Sequence, residues 1–332
     1  MFADHRPGPS VWTAISGSAS RMLAARLPTQ SVRKVSPRPL VSFTFDDAPA
    51  SSYREGAAIL EAHGIRGTYF VCAGGWGAVG SDGPLAGADD VAALMARGHE
   101  IGCHTYSRCA VSTVSRRELA ADLDRNRDAI IGVGAGVAPP RNFAFPYGDI
   151  SFGTKRYLGR RFDSCRSSRP GLNAGTIDLG ALRSWPLENA SINRARIIRL
   201  IEETVRRQGW LIFSSHGIEA TPGRYGITPD LFAFAVAAAK SAGCRAVTIA
   251  EGLRIARGEA GAYGLRSVIA GLVPVISTSR HGGRSNLAAP LDQSRDSIGL
   301  ERPCPVYRDH RDNKPGDDIA GNESRRKATT RN

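Results

Sequence analysis

Between residues 39 and 257, short apolar runs alternate with helical patterns along the chain. Leu40–Phe45 is a β-rich run, and a helical pattern follows over Ser52–His63, stopped by Gly64. Gly67–Val71 reads as a second strand, and Val91–Arg97 as a helix stopped by Gly98. His99–His104 is a third strand. Ser115 and Glu118 form a capping box for a helix reaching about Ile130. Phe143–Phe145 is a fourth strand, ended by Pro146, and Arg161–Cys165 and Leu182–Trp185 are candidates for two more. A helix over Ile192–Arg207 leads into the strongly apolar strand Trp210–Ser215. Pro229–Ala242 has proline at its start and Gly243 at its end, the polarity of a helix, and Arg245–Ile249 is the last strand.

Repeated strand–helix units predict an α/β fold with a mainly parallel sheet covered by helices. Seven or eight units predict a closed or nearly closed (β/α) barrel. Texture divides the chain into an Arg-, Ser- and Pro-rich N-terminal extension (1–38), the rhythmic domain (39–257) and a low-order basic C-terminal tail (258–332). No segment approaches the roughly 18 apolar residues of a membrane span, and residues 1–38 lack the continuous apolar run of a signal peptide. A cytoplasmic location is the expectation.

Composition changes this picture little. The net charge of +13 reads as an arginine-rich, solubilising surface. No basic block with interleaved aromatics suggests a nucleic-acid groove, so no specific nucleic-acid partner is expected. The cysteines Cys72, Cys103, Cys109, Cys165, Cys244 and Cys304 are irregularly spaced without a CxxC pair, and several sit in apolar runs. They read as small buried hydrophobes in a reducing compartment.

Titratable residues recur where the strands end: Asp46 and Asp47 after the first, His104 after the third, Pro146-Tyr147-Gly148 after the fourth, His216 after Trp210–Ser215. In a parallel barrel those ends meet on one face, where the active site lies. Two adjacent carboxylates in a semi-buried site need a cation or a proton between them, although Asp-Asp before Ala-Pro also suits a plain turn. A phosphatase barrel lacks support, because no phosphate-cradling glycine loop is present.

These residues fall in familiar motifs. Thr44-Phe45-Asp46-Asp47 resembles the first motif of the NodB-type polysaccharide deacetylases (carbohydrate esterase family 4). His104-Thr105-Tyr106-Ser107 resembles the start of that family's His-Thr/Ser-x-x-His motif. Phe143–Gly148 resembles the third motif, and Leu211–His216 the last. The resemblance covers about residues 39–257 and implies a distorted (β/α) barrel of the NodB homology type. It implies metal-dependent N-deacetylation of an amino-sugar oligomer or polymer, chitooligosaccharide-like, with an N-acetylated glycan as the partner. By position, Asp46 matches the general base and His216 the general acid. Asp47 and His104 match two of three ligands of Zn2+ or another divalent metal. Pro146 and the backbone N–H of Tyr147 match the substrate and oxyanion subsite. Zinc chemistry is coherent with these roles, since the ion activates water and polarises a carbonyl.

Two positions depart from the pattern. The third metal ligand should be a histidine four residues after His104, and that position is Arg108. A guanidinium stays protonated and does not ligate zinc. Three readings stay open: a catalytically impaired relative that binds glycan or another partner, a substitute ligand such as the neighbouring Cys109, or Arg108 itself filling the cation site against Asp47. The second departure is Ala144, where many relatives carry an arginine that orients the base. Arg183, on the Leu182–Trp185 strand, is the candidate to supply that charge.

Overall fold

The computed structural model describes residues 11–259 apart from 35, 48, 81 and 82, and the side chains from residue 18 onward. The tail from residue 260 lies outside the described residues. Parallel strands run in the order Trp185–Pro186, Trp210–Ser215, Leu40–Asp46, Thr68–Val71, Glu100–Cys103, Asn142–Ala144, Ser164–Arg166, with Arg245–Ala246 paired to Leu40 and Val41. The two edges approach each other through residues 182–186. Leu182 forms a parallel bridge with Arg166, while Trp185 and Pro186 pair with Phe213 and Ser214. This is the distorted (β/α) barrel that the family resemblance implies, a nearly closed form of what the strand–helix rhythm predicts.

The first strand shows why the barrel forms. All seven residues of Leu40–Asp46 are buried, so both faces are covered, as parallel strands require. Successive side chains alternate. Val41, Phe43 and Phe45 join the core under the outer helices, with Leu60, Phe232 and Val236. Leu40, Ser42, Thr44 and Asp46 therefore point into the barrel. Leu40 packs there with Phe70, Trp210 and Ile212. The Trp210 indole donates to Ser42 Oγ (2.9 Å), which donates to the Val247 carbonyl (2.7 Å). Phe70 fills the interior because residue 102 is glycine: a Cβ there would stand 2.5 Å from the Phe70 ring.

Several elements differ from the sequence expectation. The Ser52–His63 helix opens as a π-wound turn over Ser52–Gly56 before the α-helix Ala57–Ala62. The last strand shortens to Arg245–Ala246, because Thr248 and Glu251 form a capping box that starts the helix Ile249–Arg257. Part of the 1–38 segment is built into the domain. Ser31–Arg33 pairs antiparallel with Thr176–Asp178. The buried Lys155 donates to the carbonyls of Ala24 (2.8 Å) and Leu27 (2.7 Å) and pairs with Asp178, which fastens the helix Val11–Arg26 to the barrel. No described helix is long and apolar enough to cross a membrane.

A buried histidine gives the fold a pH dependence. His99 Nδ1 accepts the Gly67 N–H (3.0 Å), so Nε2 carries the proton and donates to Glu61 (2.8 Å). Burial pushes the His99 pKa down, and Glu61 opposes it without winning. Stability is therefore full above the unfolded value of about 6.5 and is lost as pH falls through the lower folded value. Urea unfolding between about pH 5 and 8 should show this decline, and His99→Leu should flatten it. An unchanged slope in the variant would assign the decline to other groups.

Candidate active site

Asp46 ends the first strand with its side chain turned inward, and the chain then turns sharply at Asp47, whose φ is 63°. Four of the five described non-glycine residues with positive φ stand here: Asp47, Thr105 (63°), Arg108 (54°) and Tyr147 (58°). Such backbone is costly outside glycine and clusters at functional sites.

Arg166, at the end of Ser164–Arg166, places one Nη 2.5 Å from each Asp46 oxygen. The arginine is 1% exposed, lies 5.2 Å from the Phe70 ring centroid, and its other Nη donates to Ser184 Oγ (3.3 Å). Burial pushes the Asp46 carboxyl up. The charge and hydrogen bonds of Arg166 lead the effects that overcome this and hold it below its ordinary value. Asp46 is thus ionised at neutral pH and opens onto a cleft of about 90 Å³ lined also by His104, Arg108, Tyr147 and His216.

Asp47 is buried and faces four cations or donors. Arg108 pairs with its Oδ2 through Nη2, and His216 Nε2 lies 3.5 Å from the same oxygen. Its Oδ1 lies 3.4 Å from His104 Nε2 and 3.9 Å from Cys72 Sγ. His104 Nδ1 donates to the Ala144 carbonyl (2.9 Å), which fixes the tautomer. Burial pushes the His104 pKa down against the pull of Asp46 and Asp47, so the ring is neutral and presents the lone pair of Nε2. A lone pair and a carboxylate oxygen then face each other at 3.4 Å, an arrangement that suits a cation between them. Asp47, Cys72 and His104 are the only described group of three or more donors that converges in this way, all within 4.8 Å.

The loop carrying Arg108 is held from a neighbouring helix. Asp122, on Arg116–Ile131, accepts the Tyr106 N–H (2.6 Å) and both the N–H (3.2 Å) and hydroxyl (2.5 Å) of Ser107. The Arg108 guanidinium then lies 4.7 Å from the Tyr147 ring centroid. Pro146 is buried and opens the short turn that carries Tyr147 at the cleft.

The structure thus brings together Asp46, Asp47, His104, Tyr147 and His216, as strand-end placement predicts. It does not bring in Arg183. That guanidinium points away and donates to the Pro170 carbonyl (3.2 Å), and Arg166 takes the place beside Asp46. The predicted strand Leu182–Trp185 is instead the short strand Trp185–Pro186, so Arg183 lies outside it, while Arg166 ends Ser164–Arg166 with its guanidinium on Asp46. Cys109 is likewise outside the donor cluster, with its backbone N–H on Thr105 Oγ1 (3.2 Å), and the cysteine that reaches Asp47 is Cys72. Its signal was positional: Cys72 follows a strand, as Asp47 and His104 do.

Residues 33–160 match the family model described as polysaccharide deacetylase. A chitin deacetylase of Colletotrichum lindemuthianum is 26% identical over 155 residues, covering 46% of this chain and 60% of that protein. A chitin deacetylase of Pestalotiopsis sp is 25% identical over 92 residues, covering 28% of this chain and 29% of its own. The chain therefore spans less than two thirds of either curated relative. Among solved structures, a Mycobacterium smegmatis protein described as a putative polysaccharide deacetylase superposes with a TM-score of 0.51 at 18% identity, over 70% of this chain and 95% of that one.

Proposed function

The domain belongs to the NodB-type polysaccharide deacetylases, and on that premise we propose that it hydrolyses the N-acetyl amide of an amino-sugar oligomer or polymer, chitooligosaccharide-like, releasing acetate. The observation that carries this reading is the ionised Asp46, clamped by Arg166, facing a cleft that His216 also lines. Asp46 accepts the proton of the attacking water. His216 delivers a proton to the amine as the C–N bond breaks. The Tyr147 backbone N–H serves the developing oxyanion. Asp47 and His104 fit a divalent cation, by the facing lone pairs described above. When bound, such an ion supplies Lewis acidity to the acetyl carbonyl. Five free cysteines among the described residues, four of them buried, support a reducing compartment.

One observation favours a second reading. Arg108 sits on Asp47 as Arg166 sits on Asp46, so two carboxylates meet two guanidiniums and the charges balance without a metal. On that reading the chain is a catalytically impaired relative that binds glycan.

Acetate release from an N-acetylated chitooligomer, with zinc or cobalt supplied, separates the two. Turnover that His216→Ala lowers by about 100-fold or more supports the deacetylase. Oligomer binding with no acetate under either metal supports the impaired relative and overturns the first reading.

A further inference from the structure

Cys72 is 8% exposed, follows the strand Thr68–Val71, and its sulfur lies 3.9 Å from Asp47 Oδ1, while Arg108 pairs with Oδ2. The backbone on either side of it is pinned by one buried side chain. Asn126 accepts the Ala73 N–H (2.9 Å) and donates to the Val71 carbonyl (3.0 Å). The thiol itself points at the His104 carbonyl (3.1 Å), which places Sγ beside the residue whose Nε2 also faces Asp47 Oδ1. Zinc bonds of about 2.0–2.3 Å at tetrahedral angles set donor atoms about 3.3–3.6 Å apart. The separations from Asp47 Oδ1 are 3.4 Å to nitrogen and 3.9 Å to sulfur, and all three donor atoms lie within 4.8 Å of one another, so a contraction on the sulfur side brings the set to zinc distances.

We propose that Cys72 is the third protein ligand of a divalent cation held with Asp47 Oδ1 and His104 Nε2, in place of the histidine that Arg108 displaces. Loading breaks the S–H bond, forms a metal–sulfur bond and releases the proton to solvent. Arg108 stays on Oδ2, so Asp47 bridges the guanidinium and the metal. A thiolate also adds the negative charge that offsets the nearby guanidinium, which a neutral histidine would not. The inference rests on reading this cleft as a metal-dependent deacetylase site.

The test is a cobalt(II) titration of the full chain, followed by absorption. About one equivalent should bind, as at a single catalytic site, and raise a thiolate-to-cobalt charge-transfer band in the near ultraviolet. Cys109→Ser should keep the band. Cys72→Ser should lose it and bind cobalt at least about 100-fold more weakly, beyond the 10–100-fold typical of outer-shell changes. Protection of Cys72 from alkylation by cobalt, read by mass spectrometry on the unmutated chain, provides the same answer if Cys72→Ser does not fold. Cobalt binding without the band, a band that survives Cys72→Ser, or no binding at all overturns the proposal. Acetate assays on the same samples separate it from its premise. A band without acetate release removes the deacetylase reading and leaves the ligand. Acetate release without a band does the reverse.

Discussion

Arg166→Met should lower the unfolding free energy by about 3–5 kcal/mol, the cost of leaving a buried charge without its partner. Arg166 and Asp46 are both buried, and a single Nη of the arginine lies 2.5 Å from both carboxylate oxygens. Methionine fills much of the volume over Phe70 but leaves the buried Asp46 without its guanidinium. Burial, which already pushes that carboxyl up, then wins. The sign of the pH effect follows. In the native chain the folded Asp46 pKa is depressed, so its contribution is present above the unfolded value of about 3.9 and is lost as pH falls through the folded value. In the variant the folded pKa is raised, so stability is retained below the unfolded value and lost as pH rises through the folded one. The gap between the two proteins should therefore be wider at neutral pH than near pH 4, in urea unfolding at each pH. Adding Asp46→Asn to the variant should recover part of the loss, because both charges are then gone. A gap that does not narrow in acid, or a double variant less stable than the single one, would show that Arg166 acts through packing alone.

The legible parts of this molecule are those where one physical rule acts alone. Strands buried on both faces read as apolar runs, which is why Leu40–Asp46 and Trp210–Ser215 stand out. Capping chemistry marks Arg116–Ile131 through Ser115 and Glu118. The same signal at Thr248 and Glu251 stands within the apolar run Arg245–Ile249, where strand and helix patterns compete. Thr176–Asp178 was illegible because three residues at the periphery, only one of them buried, carry no periodicity, and their partner Ser31–Arg33 lies far away in sequence. At the site, Asp46, Asp47, His104 and His216 lie together as strand-end placement leads one to expect. The same placement applies to Cys72 and Arg166, but a cysteine after an apolar strand and an arginine in the short run Ser164–Arg166 each have a commoner explanation. The side-by-side pairing of the strands brings both up to the carboxylates.

Arg108→His should convert the site from one stabilised by a guanidinium to one stabilised by a metal. Without metal, the variant removes the cation on Asp47 Oδ2, and the remaining neighbours are His216 at 3.5 Å and His104 at 3.4 Å. The neutral His104 offers no positive charge, so Asp47 becomes a poorly compensated buried carboxylate, and the chelated variant should be about 3–5 kcal/mol less stable than the chelated parent. Zinc reverses the order. The new imidazole adds a ligand and removes a repelling charge, so affinity should rise by about 100-fold or more, above the range of outer-shell effects. A ligand at about 1,000 times its dissociation constant stabilises the folded state by about 4 kcal/mol, enough to restore the loss. Thermal unfolding with chelator and with zinc should therefore show a larger zinc-induced shift in the variant than in the parent. Acetate release should rise in parallel if Arg108 restrains the chemistry. Equal shifts in the two proteins would mean that Arg108 does not oppose the metal. A variant that gains no zinc shift at all would mean that position 108 does not face the donor set, against the pairing of Arg108 with Asp47.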